Sequence, residues 1–215
     1  MGRKVSPISF RLKYNQSWRS RWFSSGKTYS QNLIEDIKIR DLIKNLLFNA
    51  AVSKIEIERD SAQVTANIYS ARPGVIIGRK GAGAQELKDK VQKFAKNKLV
   101  INIVEVKNPE ADASLIAQNM AYQITNRLAF RRVMKQAVEK AMQAGAKGIK
   151  VLIAGRLGGA DIARSEKLIS GLVPLSVMRS NIDYAPAEAK TTFGIIGIKV
   201  WVYKGELDKK DVTEV

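Results

Sequence analysis

The apolar positions of the chain change their spacing several times, and each spacing predicts a different element. Over residues 32–50 they recur at mostly helical intervals, which predicts an amphipathic helix. Over 53–59 and again over 63–69 apolar and polar residues alternate, as in two half-buried strands joined by a turn at 60–61. The apolar positions of the predicted helix are Leu33, Ile37, Ile39, Leu42, Ile43, Leu46 and Leu47.

A glycine-rich segment follows the second predicted strand. A short apolar helix start runs into the loop Gly78-Arg79-Lys80-Gly81. The pattern then predicts a long helix over about residues 84–97 and a strand over residues 99–106. Three apolar side chains of the long helix are expected to face inward: Leu87, Val91 and Phe94.

The order of these elements favours one interpretation of the glycine loop. A glycine–two residues–glycine loop between two helices, in the order helix, strand, strand, short helix, loop, long helix, strand, is typical of a prokaryotic-type (type II) KH domain. Glycines let backbone approach backbone because they carry no Cβ. We expect Arg79 and Lys80, between Gly78 and Gly81, to reach the phosphates of RNA. The alternative is an ordinary glycine-rich connector between two helices.

The second half of the chain predicts another α+β domain. Pro109 and Asp112 are typical of a linker and a helix start, and Gly145 is a candidate C-cap. Two helices followed mainly by strands favour two helices on one face of an antiparallel sheet. The predicted helices span residues 113–128 and 130–144, and the predicted strands span 148–154, 167–173, 182–192 and 195–203.

The charge of the chain narrows its possible partners. There are 37 Lys and Arg against 20 Asp and Glu, a formal net charge of +17. Such an excess favours a polyanionic partner, and nucleic acid is the usual one because each neutralised phosphate releases a counterion. An anionic membrane is the rival partner. The chain has no apolar run of about 18 residues, and Gly2 with Ser6 fits only a loose lipidation pattern without a second anchor.

Several enzyme classes are excluded by missing residue types and spacings. The chain has no Cys and no His, which excludes a disulfide framework, a cysteine–histidine zinc site and His-dependent catalytic triads. Gly74 and Gly78 are too close together for a P-loop, and Gly78, Gly81 and Gly83 reverse the spacing of the dinucleotide fingerprint. The sequence therefore predicts no enzyme, no cofactor and no metal, in a cytoplasmic protein.

The first 31 residues predict a basic, aromatic arm without any acidic residue. Cations beside aromatic rings suit phosphates and unstacked bases. The aromatic residues of the arm are Tyr14, Trp18, Trp22, Phe23 and Tyr29. For Trp18, Trp22 and Phe23 the sequence leaves two interpretations open, namely contact with RNA or packing of the arm onto its own domain.

The second helix of the C-terminal domain carries a cluster of cations. At about 100° per residue, Arg131, Arg132 and Lys135 share one arc of the helix, away from its apolar stripe. Arg127 extends this cluster toward the preceding turn. Nucleic-acid binding and a plain solvated face are both open interpretations. We call Arg131, Arg132 and Lys135 the basic arc.

These motifs together resemble one family, the bacterial-type, KH-containing protein three of the small ribosomal subunit. The resemblance extends over nearly the whole chain in the order typical of that family. The residues that carry it are Gly2-Arg3-Lys4-Val5, Ala71-Arg72-Pro73-Gly74-Val75-Ile76-Ile77-Gly78-Arg79-Lys80-Gly81, Phe130-Arg131-Arg132, Gly145-Ala146-Lys147-Gly148-Ile149-Lys150, Gly155-Arg156-Leu157-Gly158-Gly159-Ala160 and Gly194-Ile195-Ile196-Gly197-Ile198-Lys199-Val200-Trp201.

The resemblance implies a fold, a location and partners. It implies an arm over 1–31, a KH domain over 32–107, an α+β domain over 108–206 and a short polar tail over 207–215. It also implies a structural role in the head of the small subunit, in contact with ribosomal RNA, neighbouring head proteins and the channel where messenger RNA enters. The expected channel residues are Arg127 and the basic arc. The expected ribosomal RNA contacts are Arg3, Lys4, Arg11, Arg72, Arg156, Arg164 and Arg179. A free KH-domain RNA regulator is the alternative.

Overall fold

The computed structural model describes residues 4–60 and 62–207. In chain order, its α-helices are α1 (Pro7–Arg11), α2 (Gly26–Leu46), α3 (Pro73–Ile77), α4 (Ala82–Gln92), α5 (Ala113–Thr125) and α6 (Phe130–Gln143). Its strands are β1 (Ser20–Arg21), β2 (Val52–Arg59), β3 (Gln63–Ser70), β4 (Lys98–Glu105), β5 (Gly148–Gly155), β6 (Arg164–Gly171), β7 (Ser180–Thr191) and β8 (Gly194–Glu206). They form two compact units, one of them Trp18–Lys107 and the other built from the chain on either side of it.

The unit Trp18–Lys107 has the predicted type II KH order. Its sheet runs β1-β2-β3-β4, with β2 and β3 antiparallel and the two outer pairs parallel. Alternation along β2 and β3 turns one face of the sheet toward α2 and α4, as the period of two requires. The buried side chains between the helices and the sheet form one apolar cluster. Its most buried members are Ile39, Ile43, Ile57, Val64, Ile68, Val91 and Leu99.

Helix α2 differs from its predicted bounds at both ends. It begins at Gly26, in a first turn that has no apolar periodicity and in which Thr28 donates from Oγ1 to the carbonyl of Ser25 at 2.6 Å. It ends at Leu46, and a short 3-10 turn leads to Ala51 in the left-handed region with φ 51°. Only Ile39 and Ile43 of its seven apolar positions are fully buried.

Helix α4 is shorter than predicted. It ends at Gln92, whose side-chain amide donates to the carbonyl of Asn97 at 2.9 Å and accepts from the N–H of Leu99 at 2.8 Å. Gln92 therefore ties the end of the helix to the start of β4. The expectation that Phe94 faces inward is wrong, since Phe94 follows the helix and is 51% exposed, whereas Leu87 and Val91 are buried as predicted.

The other unit contains the predicted antiparallel sheet. Its strand order is β6-β5-β8-β7, and every neighbouring pair is antiparallel. Helices α5 and α6 pack on one face of this sheet. Asp112 begins α5 as an N-cap, accepting from the N–H groups of Ser114 at 2.9 Å and Leu115 at 3.1 Å. The core contains Met120, Val133, Met134, Ile149, Val151, Ile153, Ile198 and Val200.

The predicted arm over residues 1–31 does not form one segment. Within its described part, the residues up to Ser17 belong to the C-terminal unit, and those from Trp18 onward belong to the KH unit. Ser20 and Arg21 add a short parallel strand to the KH sheet. The physical reason is that the donors of each half find acceptors on a different unit. The predicted tail from Asp208 onward lies outside the described residues.

The aromatic residues of the predicted arm divide in the same way. Trp22 is half-buried and donates from its indole N–H to the Asp36 carboxylate at 2.8 Å. Asp36 is itself buried and accepts from Nε of Arg59 at 2.7 Å. Packing on its own unit is therefore the interpretation that holds for Trp22. Trp18 is 55% exposed and Phe23 is 95% exposed, so neither is used in this way.

Candidate nucleic-acid interface

The glycine loop of the KH unit has a geometry that only glycine permits. Gly78 has a φ of 69°, and a Cβ there would lie 3.0 Å from the backbone nitrogen of Gly83. A Cβ on Gly83 would lie 2.7 Å from the carbonyl oxygen of Ile76. A side chain at Gly83 would push α3 away from the start of α4, because real Cβ contacts are essentially never that short. At Gly78 a side chain would be strained by the positive φ and would crowd the backbone of Gly83. Gly81 also adopts a left-handed conformation, with φ 82°.

This close approach presents the loop as an exposed surface. Gly78 and Arg79 are exposed, and Arg72 is exposed at the start of α3. The side chains of Val75 and Ile77 are 56% and 43% exposed beside the loop. The loop thus combines an exposed cation, accessible backbone and a small apolar surface, features that suit contact with single-stranded RNA.

The basic arc is held by the packing of the opposite face of α6. Val133, Met134 and Val138 are buried in the core, between 2% and 7% exposed. Because Arg131, Arg132 and Lys135 lie on the other side of the same 14-residue helix, all three project into solvent. Arg127 is also exposed, in the loop before α6, with a left-handed φ of 62°. The predicted cation cluster is therefore present as one exposed surface of a rigid helix.

Glu166 on strand β6 contacts this surface, and the sequence pattern does not predict this contact. Its carboxylate accepts from Arg131 Nη2 at 2.9 Å and from Arg131 Nε at 3.3 Å. The hydrogen bond and charge of Arg131 lower the pKa of Glu166, and the same hydrogen bond raises the pKa of Arg131. Glu166 lies 35 residues further along the chain. The sequence carries no local signal for the pair, which depends on the packing of α6 beside β6.

Arg11 has a different place from the one predicted. It was expected to contact ribosomal RNA, but its side chain is fully buried. The guanidinium donates to five backbone carbonyls, and its Nε–Ser180 bond is 2.8 Å long. Burial lowers the pKa of Arg11. The other four acceptors are the carbonyls of Pro7 at 3.2 Å, Pro174 at 3.3 Å, Leu175 at 3.1 Å and Val177 at 2.7 Å.

Most of the other predicted RNA-binding cations that the structure describes are exposed, and one of them makes hydrogen bonds within the protein. Lys4, Arg72, Arg164 and Arg179 are exposed. Arg156 is half-buried and donates to the carbonyl of Ala160 at 2.9 Å, the carbonyl of Phe193 at 3.4 Å and the carboxylate of Asp161 at 3.0 Å. Arg3 and the side chain of Lys80 lie outside what the structure describes.

Two classes of site are not found in the described part of the chain. Residues 4–60 and 62–207 contain no group of acidic, cysteine or histidine side chains placed to hold a metal ion. No helix in these ranges is long and apolar enough to cross a membrane. The chemistry that the exposed surface supports is cation and backbone contact with phosphates.

The fold and the exposed cations together define a class: an RNA-binding protein with a type II KH domain and a second α+β domain. Residues 38–111 match the family described as KH domain, and residues 120–202 match the family described as Ribosomal protein S3, C-terminal domain. These two matches cover the two units in the order that the sequence predicts. The expected fold class is confirmed.

The chain is also similar to curated proteins over its full length. It is 51% identical to the small ribosomal subunit protein uS3 of Clostridium botulinum strain Okra, over 100% of this chain and 97% of that protein. It is 52% identical to the protein of that name in Clostridium beijerinckii, over 96% of this chain and 94% of that one. It is 49% identical to the protein of that name in Pelagibacter ubique, over 100% of this chain and 95% of that protein.

The chain belongs to the uS3 family of small ribosomal subunit proteins. The resemblance seen in the sequence is thereby confirmed, and so is the prediction that the chain is not an enzyme, since this family is structural. The RNA-binding class of the protein follows from its KH domain.

Proposed function

We propose that the chain is a structural constituent of the small ribosomal subunit in the cytoplasmic ribosome, and that its basic arc lines the path of messenger RNA. The observation that carries the second part is the exposure of Arg131, Arg132 and Lys135 on one face of α6 while the opposite face is fixed in the core. The match over the whole chain favours this role over that of a free KH regulator.

The KH loop supplies the ribosomal RNA contact in this proposal. Its backbone is accessible because Gly78 and Gly83 bring the two helices together, and Arg79 is exposed at the tip. A loop of this kind clamps the backbone of a short single-stranded segment. Arg72, Arg164, Arg179 and Lys4 are exposed and supply further phosphate contacts in the head of the subunit, next to neighbouring head proteins.

The basic arc suits messenger RNA because it holds phosphates without reading bases. Cations at fixed positions on a rigid helix grip successive phosphates, and phosphate contacts position a strand but carry no sequence information. A channel through which every message passes needs this property. A grip on one strand also opposes its re-pairing with a complementary strand, which connects the arc to the passage of structured messages. Arg127 extends the same surface at the preceding loop.

Elongation on paired templates tests the proposal. The variant changes Arg131, Arg132 and Lys135 to Ala, and the control changes three exposed cations on α2, Lys27, Lys38 and Lys44, to Ala. Both remove three charges from a helix surface. We expect both variants to enter small subunits, because exposed charges contribute little to folding. Ribosomes with the arc variant are expected to slow on a message with a stable hairpin and to change little on an unstructured one.

Two outcomes would move the basic arc from channel function to structural RNA binding. One is equal slowing of the arc variant on paired and unpaired messages. The other is failure of the arc variant, but not of the α2 control, to sediment with small subunits in a sucrose gradient.

A further inference from the structure

The C-terminal sheet has a second charged surface, on the face that α5 and α6 do not cover. Residues directly opposite in antiparallel strands point to the same side. The register places Ile169, Lys150, Trp201 and Tyr184 in one row across β6, β5, β8 and β7. The next row consists of Lys167, Leu152, Lys199 and Pro186. Lys150, Lys167 and Lys199 therefore surround Leu152 on one face of the sheet.

Lys4 joins this group from the N-terminal segment. Burial lowers the pKa of Lys150 most, and the charges of Lys4 and Lys167 lower it further. Lys150 is held in place by Trp201, whose ring centroid lies 5.0 Å from its Nζ, and Trp201 packs on Tyr184 with centroids 5.2 Å apart. We call Lys4, Lys150, Lys167 and Lys199 the lysine face.

Within the described residues, no ion pair is found for any of these four lysines. The three outer lysines, Lys4, Lys167 and Lys199, are exposed. No recorded ion pair among the described residues offsets their mutual repulsion, and a polyanion would relieve it. In the row beyond, Glu188 is the one carboxylate that the register places on this face.

We propose that the lysine face binds the phosphate backbone of ribosomal RNA, as a site separate from the KH loop and the basic arc. Charge complementarity supports this occupant. The surface between the lysines offers little for a protein partner, since Trp201 is buried and Leu152 is half-buried, and Ile169, at 50% exposure, is the main apolar side chain in these rows. Protein interfaces require a larger apolar centre, whereas interfaces with nucleic acid are polar and strongly positive.

Lysine is suited to this task on a strand. Diagonal neighbours on one sheet face lie roughly 7–8 Å apart, so Lys150, Lys167 and Lys199 present point charges at regular intervals along the sheet. Each flexible stem lets its ammonium follow the nearest phosphate oxygen. The inference rests on the proposed binding of ribosomal RNA but does not depend on the basic arc.

Salt-dependent binding of the full-length chain to a transcript of small-subunit ribosomal RNA tests the proposal. The test variant is Lys167→Gln with Lys199→Gln, which leaves the Trp201-packed Lys150 in place. The control is Lys107→Gln with Lys140→Gln, two exposed lysines outside the lysine face. Each phosphate contact contributes about 0.7–0.9 to the slope of log affinity against log salt. The test variant is expected to lose about 1.5 of that slope, and the control is expected to keep the wild-type slope.

Once thermal melts show that both variants fold, three outcomes decide whether the lysine face binds RNA. A slope that falls in the test variant alone supports the lysine face as an RNA site. Equal slopes in the test and control variants would overturn it. An unchanged slope with poorer sedimentation of the test variant in small subunits would also overturn it, since the surface would then dock an acidic protein. Failure of the wild-type chain to bind the transcript would instead count against the proposed function.

Discussion

The N-terminal segment, which is the described chain up to Ser17, and the basic arc are alike in sequence but differ in the burial of their arginines. Both are basic, both lie beside apolar residues, and both were expected to contact RNA. Arg11 is fully buried, with five backbone carbonyls around its guanidinium, whereas Arg131 and Arg132 are exposed. In this chain, the arginine that lies beside carbonyls outside the strands is used for folding, whereas the arginines on the outer face of α6 remain exposed.

The surroundings of Arg11 explain why it is used for folding. The segment from Pro174 to Ser180 leads into β7, and most of it lies outside any strand, so few of its carbonyls are paired by strand hydrogen bonds. Arg11 donates to four of them, Asn15 donates to the carbonyl of Met178 at 3.1 Å, and Gln16 donates to that of Ile182 at 3.0 Å. Buried carbonyls require donors, and the fork of a guanidinium supplies several at once. The N-terminal segment therefore completes the C-terminal unit.

The largest effect is expected from Arg11→Ala. The change would remove the guanidinium from five carbonyls, of which those of Ser180 and Pro174 keep a second donor, and would open a space at the edge of β7. We therefore expect a loss of about 3 kcal/mol in the free energy of unfolding of the C-terminal unit. Chemical denaturation followed by hydrogen exchange at the β7 amides measures it. The matched control is Arg132→Ala, an exposed arginine of the same unit, which is expected to change stability by less than about 0.5 kcal/mol. A similar small loss for both variants would show that the Arg11 contacts do not stabilise the fold.

The second effect concerns binding rather than stability. Replacing the three residues of the basic arc with Ala is expected to lower the slope of log affinity against log salt for a single-stranded RNA by about 2, because each phosphate contact of a single strand contributes about 0.7. Filter binding across a salt series measures the slope. If the slope equals that of the wild type in a folded variant, the arc does not hold phosphates.

Glu166 gives a smaller effect in the opposite direction. In the free protein its carboxylate accepts hydrogen bonds from the guanidinium of Arg131, so RNA phosphates must compete with Glu166 for that guanidinium. Glu166→Gln is expected to raise RNA affinity a few-fold and to increase the salt slope by up to about 0.7. Glu110→Gln, an exposed acid of the same unit, is the control for the change in net charge. Weaker binding by the Glu166 variant would show that the carboxylate orients Arg131 for RNA instead of competing for it.

The smallest expected effect is a change in the pH at which the carboxyl of Glu166 titrates. Arg131 lowers the pKa of Glu166, so the pair is complete at neutral pH and is lost as the pH falls through that lowered pKa. In Arg131→Ala the carboxyl of Glu166 is expected to titrate at a higher pH than in the wild type. Carboxyl carbon chemical shifts measured by NMR across the acidic range report the difference. Coincident titration curves would mean that the pair does not persist in solution.

The sequence predicted the regular parts of the molecule because they depend on local periodicity. Alternation identified β2, β3 and the antiparallel sheet, and the apolar stripe of α6 placed Val133, Met134 and Val138 inward and the basic arc outward. The glycine loop was identified because its spacing and flanking elements are local features. For these elements, the side chains that face the core are decided within a few residues.

The parts that the sequence could not predict depend on distant contacts. Arg11 and Ser180 are separated by 169 residues, so nothing near Arg11 indicates that it is buried. The end of α4 depends on the side chain of Gln92 reaching β4, and Phe94 was consequently placed on the wrong side. The lysine face, by contrast, was available in principle, since it follows from strand alternation once the register of β5, β6 and β8 is known.

Site-directed photo-crosslinking tests the central claim most directly. The chain contains no cysteine, so Lys135→Cys introduces a single attachment point for a photo-reactive group on the basic arc. Lys38→Cys, exposed on α2, is the matched control. In small subunits loaded with a labelled message, the probe at position 135 is expected to crosslink to messenger RNA downstream of the decoded codon, and the probe at position 38 is not. Crosslinks from position 135 to ribosomal RNA alone would contradict the account.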